Sequence, residues 1–129
     1  MDLKNLYLSY RGRINRQPYW LGNLAFALVY FVVTLSLIWS SGLFSVDFKD
    51  QNAIQAAMSS VSWPLNIFNL ISIWPAYALL AKRWHDRDKS GWWSLIIFVP
   101  IIGAVWVFVE CGFLRGTDGP NRFGDDPLG

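Results

Sequence analysis

The chain has 129 residues, of which 53% are hydrophobic and only 16% are charged. Soluble domains usually carry about 25% charged residues, so this composition excludes an ordinary soluble domain and predicts one integral membrane domain over residues 1–129. The net charge of +2 is too small to predict nucleic-acid binding, and the single cysteine, Cys111, excludes an intrachain disulfide.

Three stretches, 17–46, 51–81 and 90–109, contain no Asp, Glu, Lys or Arg. A helix needs roughly 20 apolar residues to cross a bilayer core of about 30 Å. We therefore expect an all-α fold, a small polytopic membrane protein with three transmembrane helices at about 19–41, 61–81 and 91–113.

A short basic segment precedes the first span. Leu3, Leu6, Tyr7 and Tyr10 recur at helical spacing, which predicts a short interfacial helix lying on the lipid headgroups. The apolar run that follows is long for the h-region of a signal peptide, so we expect it to be retained as a helix.

The first two spans each carry a polar or small-residue stripe. Gly22 and Ser36 fall on one face of the first span, and Ser62, Asn66 and Asn69 on one face of the second. Small residues allow helices to approach closely in lipid, and amides are costly when they face lipid. We therefore predict that these faces pack against another helix or line a polar cavity.

The third stretch is interrupted near its middle by Pro100 and Gly103, and a Gly-, Pro-, Asn- and Asp-rich tail follows it at 115–129. Its charge-free part has only twenty residues, too few for two crossings. The leading interpretation is a single bent helix over 91–113. The alternative is a re-entrant segment that returns the tail to the side from which it entered.

Orientation follows from the basic residues near the spans. The N-terminal segment holds four, the first loop one, the second loop four and the tail two. We therefore expect a multi-pass protein of the bacterial inner (cytoplasmic) membrane, with the N-terminus and residues 82–90 in the cytoplasm and the first loop outside. Three crossings would place the tail outside as well, whereas the re-entrant alternative would place it in the cytoplasm.

The cytoplasmic face would carry a basic cluster consisting of Arg11, Arg13, Arg16, Arg83, Arg87 and Lys89. Such a cluster can bind anionic phospholipid, or it can serve topogenesis and pair with nearby aspartates, and both interpretations stay open. Because the N-terminal segment and the second loop share one side, we predict a salt bridge from Asp86 to Arg13, Arg16 or Arg83.

The sole histidine, His85, stands beside Asp86 and could form an acid–base pair with it. No nucleophile or metal-ligand spacing accompanies this pair, so an enzyme is the less favoured interpretation, and no catalytic residue, metal or cofactor is expected. Gly116, Gly119 and Gly124 look faintly like a phosphate cradle, but no helix follows them, and ordered turns are the favoured reading.

Several motifs recur in the order seen in a known family. YRGRINRQPYW at 10–20 resembles F-x-G-R-x-S-R-x-x-[FY]-W, and RWHD at 83–86 with SGWW at 90–93 resembles R-L-H-D-x-x-x-S-G-W-W. PIIG at 100–103 and NRFGDDP at 121–127 resemble P-x-[IL]-G and N-R-[FY]-G-x-D-P. The chain is therefore similar to the bacterial inner-membrane family catalogued as domain of unknown function 805.

The resemblance implies a small multi-span protein of the cytoplasmic membrane and implies no activity. Asn15, Pro18 and Trp84 depart from the family pattern, where Ser, an acidic residue and Leu are usual. The motif residues that the resemblance offers as functional candidates are Arg13, Arg16, Arg83, His85, Asp86, Asn121 and Arg122.

Three functions remain open at this point. The leading one is a non-enzymatic membrane protein whose basic, aromatic inner face binds anionic lipid or a membrane partner, with candidate contacts at Arg11, Arg13, Arg16, Arg83, His85, Asp86, Asn121 and Arg122. The first alternative is one protomer of an oligomeric channel or transporter, which would require a homo-oligomer. The second is an enzyme that acts on lipid headgroups through His85 and Asp86.

Overall fold

The computed structural model describes residues 2–128, and the part of the chain described is helical with no β-strand. An isolated bridge between Asn121 and Gly124 is its only β-type pairing there. The all-α prediction is confirmed. The helices are α1 (Leu3–Leu8), α2 (Arg16–Ser41), α3 (Gln51–Asp86) and α4 (Ile102–Gly112), and 3₁₀ segments cover Leu43–Ser45 and Gly91–Phe98.

Helix α1 forms where the spacing of apolar residues predicts it. The Asp2 side chain caps its start by accepting a hydrogen bond from the Asn5 amide at 2.7 Å, which satisfies one of the unpaired N–H groups of the first turn. The chain then leaves the helix and turns at Gly12, whose φ of +92° lies in the left-handed region that glycine adopts without strain.

Helices α2 and α3 are the two elements that are long and apolar enough to cross a membrane. At 1.5 Å per residue they measure about 39 Å and about 54 Å, beyond the ~30 Å of a bilayer core. Helix α3 begins at Gln51, where Asp50 accepts a hydrogen bond from the Ala53 amide, and it ends only at Asp86. Residues 82–86, predicted as part of a loop, are its last turn.

The third apolar stretch differs from the single helix predicted over 91–113. It consists of the 3₁₀ segment Gly91–Phe98 and α4, separated by a sharp reversal at Ile101, whose φ is +65°. Gly103 makes the reversal possible, because a Cβ there would lie 1.7 Å from the carbonyl oxygen of Ile96. Only a residue without a side chain lets the two arms pack this closely.

The two arms form a hairpin, and the start of the first arm contacts the end of the second. Glu110, near the end of α4, is bonded to Lys89, just before the first arm. Helix α4 is about 16 Å long, which is about half of a ~30 Å bilayer core. The prediction of a single bent helix over 91–113 is therefore corrected to two arms, and a hairpin of this kind has the geometry of the re-entrant alternative.

The chain divides into two compact units, the terminal unit (residues 2–24 and 74–128) and the central unit (residues 25–73). Within the terminal unit, Gly22 of α2 is buried against α3, since an added Cβ would lie 3.0 Å from the Leu79 side chain. Its carbonyl also accepts a hydrogen bond from the Tyr7 hydroxyl at 2.7 Å. Gly22 thus permits the close contact of α2 with α3, as predicted for the small residues of the first span.

Within the central unit, one member of the predicted polar face reaches a neighbouring helix. The Tyr30 hydroxyl of α2 donates to Asn69 Oδ1 of α3 at 2.9 Å. Asn66 is exposed, and so are Ser36 and Ser62, whose hydroxyls donate to carbonyls of their own helices. The structure therefore pairs Asn69 across the helices and leaves the other three on the surface of this unit.

The hairpin predicts a common sidedness for the tail and the segment that follows α3. Cysteines introduced singly at Ser90 and Asp125, in a Cys111→Ser background, should react with a membrane-impermeant maleimide from the same side of intact vesicles. Permeabilised vesicles, in which both cysteines should react fully, provide the control. Labelling of the two positions from opposite sides would restore the three-crossing topology.

Candidate functional site

Three separate parts of the terminal unit converge on the carboxylate of Asp86. They are the N-terminal segment before α2, the last turn of α3 and the tail after α4. Asp86, Arg13 and Arg83 retain only 3%, 4% and 0% of their accessible surface. Buried charges persist only when they are paired and hydrogen-bonded, so the contacts of this buried cluster define what it can do.

Asp86 bridges the two arginines. Its Oδ1 accepts a hydrogen bond from Arg13 Nε at 3.1 Å and lies 3.0 Å from Arg13 Nη2, and its Oδ2 accepts from Arg83 Nη1 at 2.5 Å. The predicted salt bridge from Asp86 to an arginine is confirmed twice. One carboxylate faces two guanidinium groups, so the remaining donors of the arginines need other acceptors.

Backbone carbonyls of the tail supply those acceptors. Arg13 Nη1 donates to the carbonyls of Gly119 at 2.8 Å and Gly124 at 3.2 Å, and Nη2 donates to Thr117 at 2.6 Å. Together with the bond from Nε to Asp86, this guanidinium donates four hydrogen bonds, and each of its three nitrogens has an acceptor. The arginine therefore holds a tail that has too little apolar surface to fold by burial alone.

Arg83 connects the same carboxylate to the end of the hairpin. Its Nε donates to the Cys111 carbonyl at 2.6 Å, and its Nη2 donates to the Leu114 carbonyl. These are carbonyls at the C-terminus of α4 and just after it, where helices leave acceptors unsatisfied and favour cations. Arg83 thus links α3, α4 and Asp86 in one buried network.

Gly116 packs directly against this network, a role for which the sequence did not single it out. A Cβ on Gly116 would lie 2.0 Å from Asp86 Oδ2, and the neighbouring Thr117 amide donates to the Asp86 carbonyl at 2.7 Å. Gly119 and Gly124 present their carbonyls to the Arg13 guanidinium, and the Gly119 amide donates to the Asp126 carboxylate. These glycines lie in ordered turns, as favoured from the sequence.

His85 and Asn121 belong to the same junction. His85 Nδ1 lies 3.0 Å from the Gly12 carbonyl, which requires Nδ1 to be the donor, and its ring stacks on Phe123 with centroids 4.0 Å apart. Asn121 Nδ2 donates to the His85 carbonyl at 2.9 Å. The imidazole therefore contacts the N-terminal segment and the tail, while the Asp86 carboxylate bonds the two arginines instead of forming an acid–base pair.

Lys82 is a buried cation that sequence reasoning missed. Its side chain lies within the protein, and its Nζ donates to the carbonyls of Asn5 and Leu6 at the end of α1. No carboxylate among residues 2–128 pairs with it. The one signal in the sequence is that Lys82 directly precedes Arg83 at the end of an apolar helix. A charge at such a position can face the protein interior as well as the solvent.

The remaining candidate residues lie on the surface. Arg11 and Arg16 are exposed, and Arg16 Nη1 donates to the Phe113 carbonyl at 2.9 Å. Arg122 pairs with Asp88 at 3.3 Å, with 63% of its side chain exposed. These three guanidiniums are open to solvent, whereas those of Arg13 and Arg83 are enclosed by protein acceptors.

The last turn of the tail is held by a carboxylate. Asp126 accepts hydrogen bonds from the backbone amides of Leu128 at 2.9 Å and Gly119 at 2.8 Å, and these bonds lower its pKa. A lowered pKa means that the stabilisation is present above the ordinary pKa of an aspartate and is lost as the pH falls through the lowered value. At neutral pH the turn is therefore intact.

The sequence was compared with family models, with known proteins and with solved structures. The family model described as protein of unknown function, DUF805, matches residues 7–125. The chain is 35% identical over 126 residues to inner membrane protein YhaH of Escherichia coli K12, which covers 97% of this chain and 91% of that protein. It is 33% identical over 127 residues to inner membrane protein YhaI of the same strain, with 97% and 90% covered. No solved structure matches the chain.

Proposed function

The chain belongs to the DUF805 family of proteins of unknown function, and from this premise we propose that it is a multi-pass protein of the bacterial cytoplasmic membrane that binds anionic phospholipid. Two of its relatives are named as inner membrane proteins, and α2 and α3 are long enough to cross a bilayer. The proposed binding surface is the exposed basic face of the terminal unit, and the proposed role is not enzymatic.

The uneven distribution of charge between the two units supports the orientation. The terminal unit contains ten Lys and Arg against seven Asp and Glu, whereas the central unit contains one lysine against two aspartates. Cytoplasmic segments next to membrane spans carry the excess of Lys and Arg. The terminal unit, with the N-terminus and residues 82–90, is therefore assigned to the cytoplasmic side.

The observation that carries the lipid proposal is the division of the basic residues of the terminal unit into two groups. Arg13, Lys82 and Arg83 are buried and bonded within the protein. The other seven are exposed in part or in full, and a cation near an anionic membrane surface gains about 1 kcal/mol. They are Lys4, Arg11, Arg16, Arg87, Lys89, Arg115 and Arg122.

Exposed tryptophans in the same unit support a position at the interface. Trp92 and Trp93 begin the hairpin with 75% and 43% of their surface exposed, and Trp20 near the start of α2 retains 39%. Tryptophan is enriched at the headgroup level because its ring is apolar and its N–H can bond. The exposed cations and these rings would then meet the lipid together.

The test is lipid binding by the purified protein in mild detergent. Native mass spectrometry should show retention of phosphatidylglycerol over phosphatidylcholine with the same acyl chains. The combined variant Lys4→Gln, Arg11→Gln and Arg16→Gln removes three exposed cations, and at about 1 kcal/mol each it should weaken phosphatidylglycerol binding about 100-fold. Lys49→Gln, an exposed cation of the central unit, should leave binding unchanged. Equal retention of both lipids by the unmodified protein would refute the proposal.

An oligomeric channel or transporter is the second candidate, favoured by one observation. Asn66 is exposed on a helix that is predicted to span the bilayer, and an amide that faces lipid is costly unless a partner supplies hydrogen bonds. The same native mass spectra report the number of chains in the complex. The enzymatic alternative gains no support, because His85 and Asp86 have separate bonding partners.

A further inference from the structure

A groove with a volume of about 630 Å³ runs along the outer side of the hairpin in the terminal unit. Its walls are apolar at one end, where Ile101, Ile102 and Val105 line it, and charged at the other, where Arg87, Lys89 and Glu110 line it. An apolar cavity with a few polar groups gathered at one end is typical of a binding site for an amphipathic ligand.

Glu110 organises the charged end. Only 6% of its side chain is exposed, and its Oε1 is bonded to Lys89 Nζ and lies 3.6 Å from Arg87 Nη2. Its Oε2 accepts a hydrogen bond from the indole N–H of Trp106. Both carboxylate oxygens are therefore occupied, and the two cations exceed this one carboxylate by a single positive charge.

The two cations remain accessible from the groove. The side chains of Arg87 and Lys89 are 27% and 30% exposed. The charged end thus offers an excess positive charge, on two partly exposed side chains, to an anionic group.

The length of the apolar wall matches one lipid leaflet. Helix α4 is about 16 Å long, and half of a bilayer core of about 30 Å is about 15 Å. Because both ends of the hairpin meet at Lys89 and Glu110, its tip at Ile101 points away from the charged end. A ligand bound along α4 would place its polar group at Arg87 and Lys89 and its apolar part toward the tip.

From this geometry we propose that the groove holds one acyl chain of an anionic phospholipid, with the lipid phosphate at Arg87 and Lys89. This inference rests on the proposed function and adds to it a defined site and the leaflet that supplies the lipid. A singly charged phosphodiester such as phosphatidylglycerol matches the excess of one positive charge. The apolar wall accounts for the acyl chain, which an exposed basic surface alone would not recognise.

Filling the groove tests the site without removing a charge. Val105 lines the groove with 57% of its surface exposed, so Val105→Trp should occupy the space of the acyl chain and weaken phosphatidylglycerol retention about tenfold. Ala104→Trp places the same ring on the adjacent exposed position of α4, which does not line the groove, and should retain the lipid. Val109→Trp, at a second position in the wall, should repeat the loss if Val105→Trp fails to fold.

The outcomes separate this inference from the broader proposal. Equal retention of phosphatidylglycerol by a folded groove variant, by Ala104→Trp and by the unmodified protein would overturn the groove site while the lipid-binding function stands. No preference for phosphatidylglycerol in the unmodified protein would overturn both. Glycerophosphoglycerol, the singly charged phosphodiester of the same headgroup without acyl chains, should not compete for the site, and full competition by it would contradict the role of the apolar wall.

Discussion

Asp86→Ala should lower the free energy of unfolding by about 3–5 kcal/mol, the usual cost of removing one partner from a buried ion pair. The substitution would leave Arg13 and Arg83 buried without their shared counter-charge, at sites where their side chains are 1% and 0% exposed. We expect a large decrease in the thermal unfolding midpoint, measured by tryptophan fluorescence in mild detergent. We also expect the tail to become susceptible to proteolysis.

Asp118→Ala is the matched control. Asp118 pairs with Arg115 at 2.8 Å, but the two side chains are 76% and 67% exposed, so the loss should be about 0–1 kcal/mol. The double variant Asp86→Ala with Arg13→Gln should be less destabilised than the sum of the two single variants, since each removes the same interaction. If Asp86→Ala has the same thermal unfolding midpoint as the unmodified protein, the buried cluster contributes little to stability.

Gly103→Ala should destabilise the hairpin by about 3 kcal/mol, at the upper end of the usual cost of overpacking. The added methyl group would lie 1.7 Å from the Ile96 carbonyl oxygen and 3.0 Å from the Ile97 Cα. Both contacts are with backbone atoms, so no side-chain rotation can relieve them and the two arms must separate. We expect a lower thermal midpoint and faster proteolysis between residues 98 and 104.

Ala104→Ser provides the comparison for Gly103→Ala, because it changes the next residue of the same helix at an exposed position. It should stay within about 0.5 kcal/mol of the unmodified protein, as surface substitutions usually do. If Gly103→Ala and Ala104→Ser unfold at the same midpoint, the close packing of the two arms is not a feature of the protein in solution.

Asp86→Ala and Gly103→Ala test two different interactions that stabilise the terminal unit. Residues 115–128 contain no helix or strand, and their order depends on carbonyls that bond Arg13 and on the Asp86 backbone that bonds Thr117. Loss of Asp86 should therefore disturb the N-terminal segment and the tail together, whereas opening the hairpin should act first on the proposed lipid groove. Lipid retention by folded variants distinguishes the two effects.

Several motif residues that the resemblance singled out prove to be neighbours in space. Arg13, Arg83 and Asp86 form the buried cluster, and His85 and Asn121 join it to the tail. The predicted pairing of Asp86 with an arginine needed only the shared side of two segments and their opposite charges. The participation of Gly116 and of the tail carbonyls was not predictable, because it depends on how the backbone folds back.

Composition and the spacing of apolar residues were sufficient to predict an all-helical membrane protein, the short helix α1 and the two long helices. Each follows from local rules: a span needs a certain length of apolar sequence, and a helix needs a certain period. The close contact at Gly22 followed from residue size alone, since a small side chain permits the approach of a neighbouring helix.

The third apolar stretch and the roles of individual charges required the folded protein. Twenty apolar residues are compatible with one crossing or with a hairpin, and the choice depends on the packing of Gly103 against Ile96, a contact that forms only when the arms meet. Lys82 and Glu110 likewise resemble ordinary span-flanking charges in the sequence. Their burial depends on acceptors and donors far away along the chain, because a charge is stable inside a protein only where distant segments supply its partners.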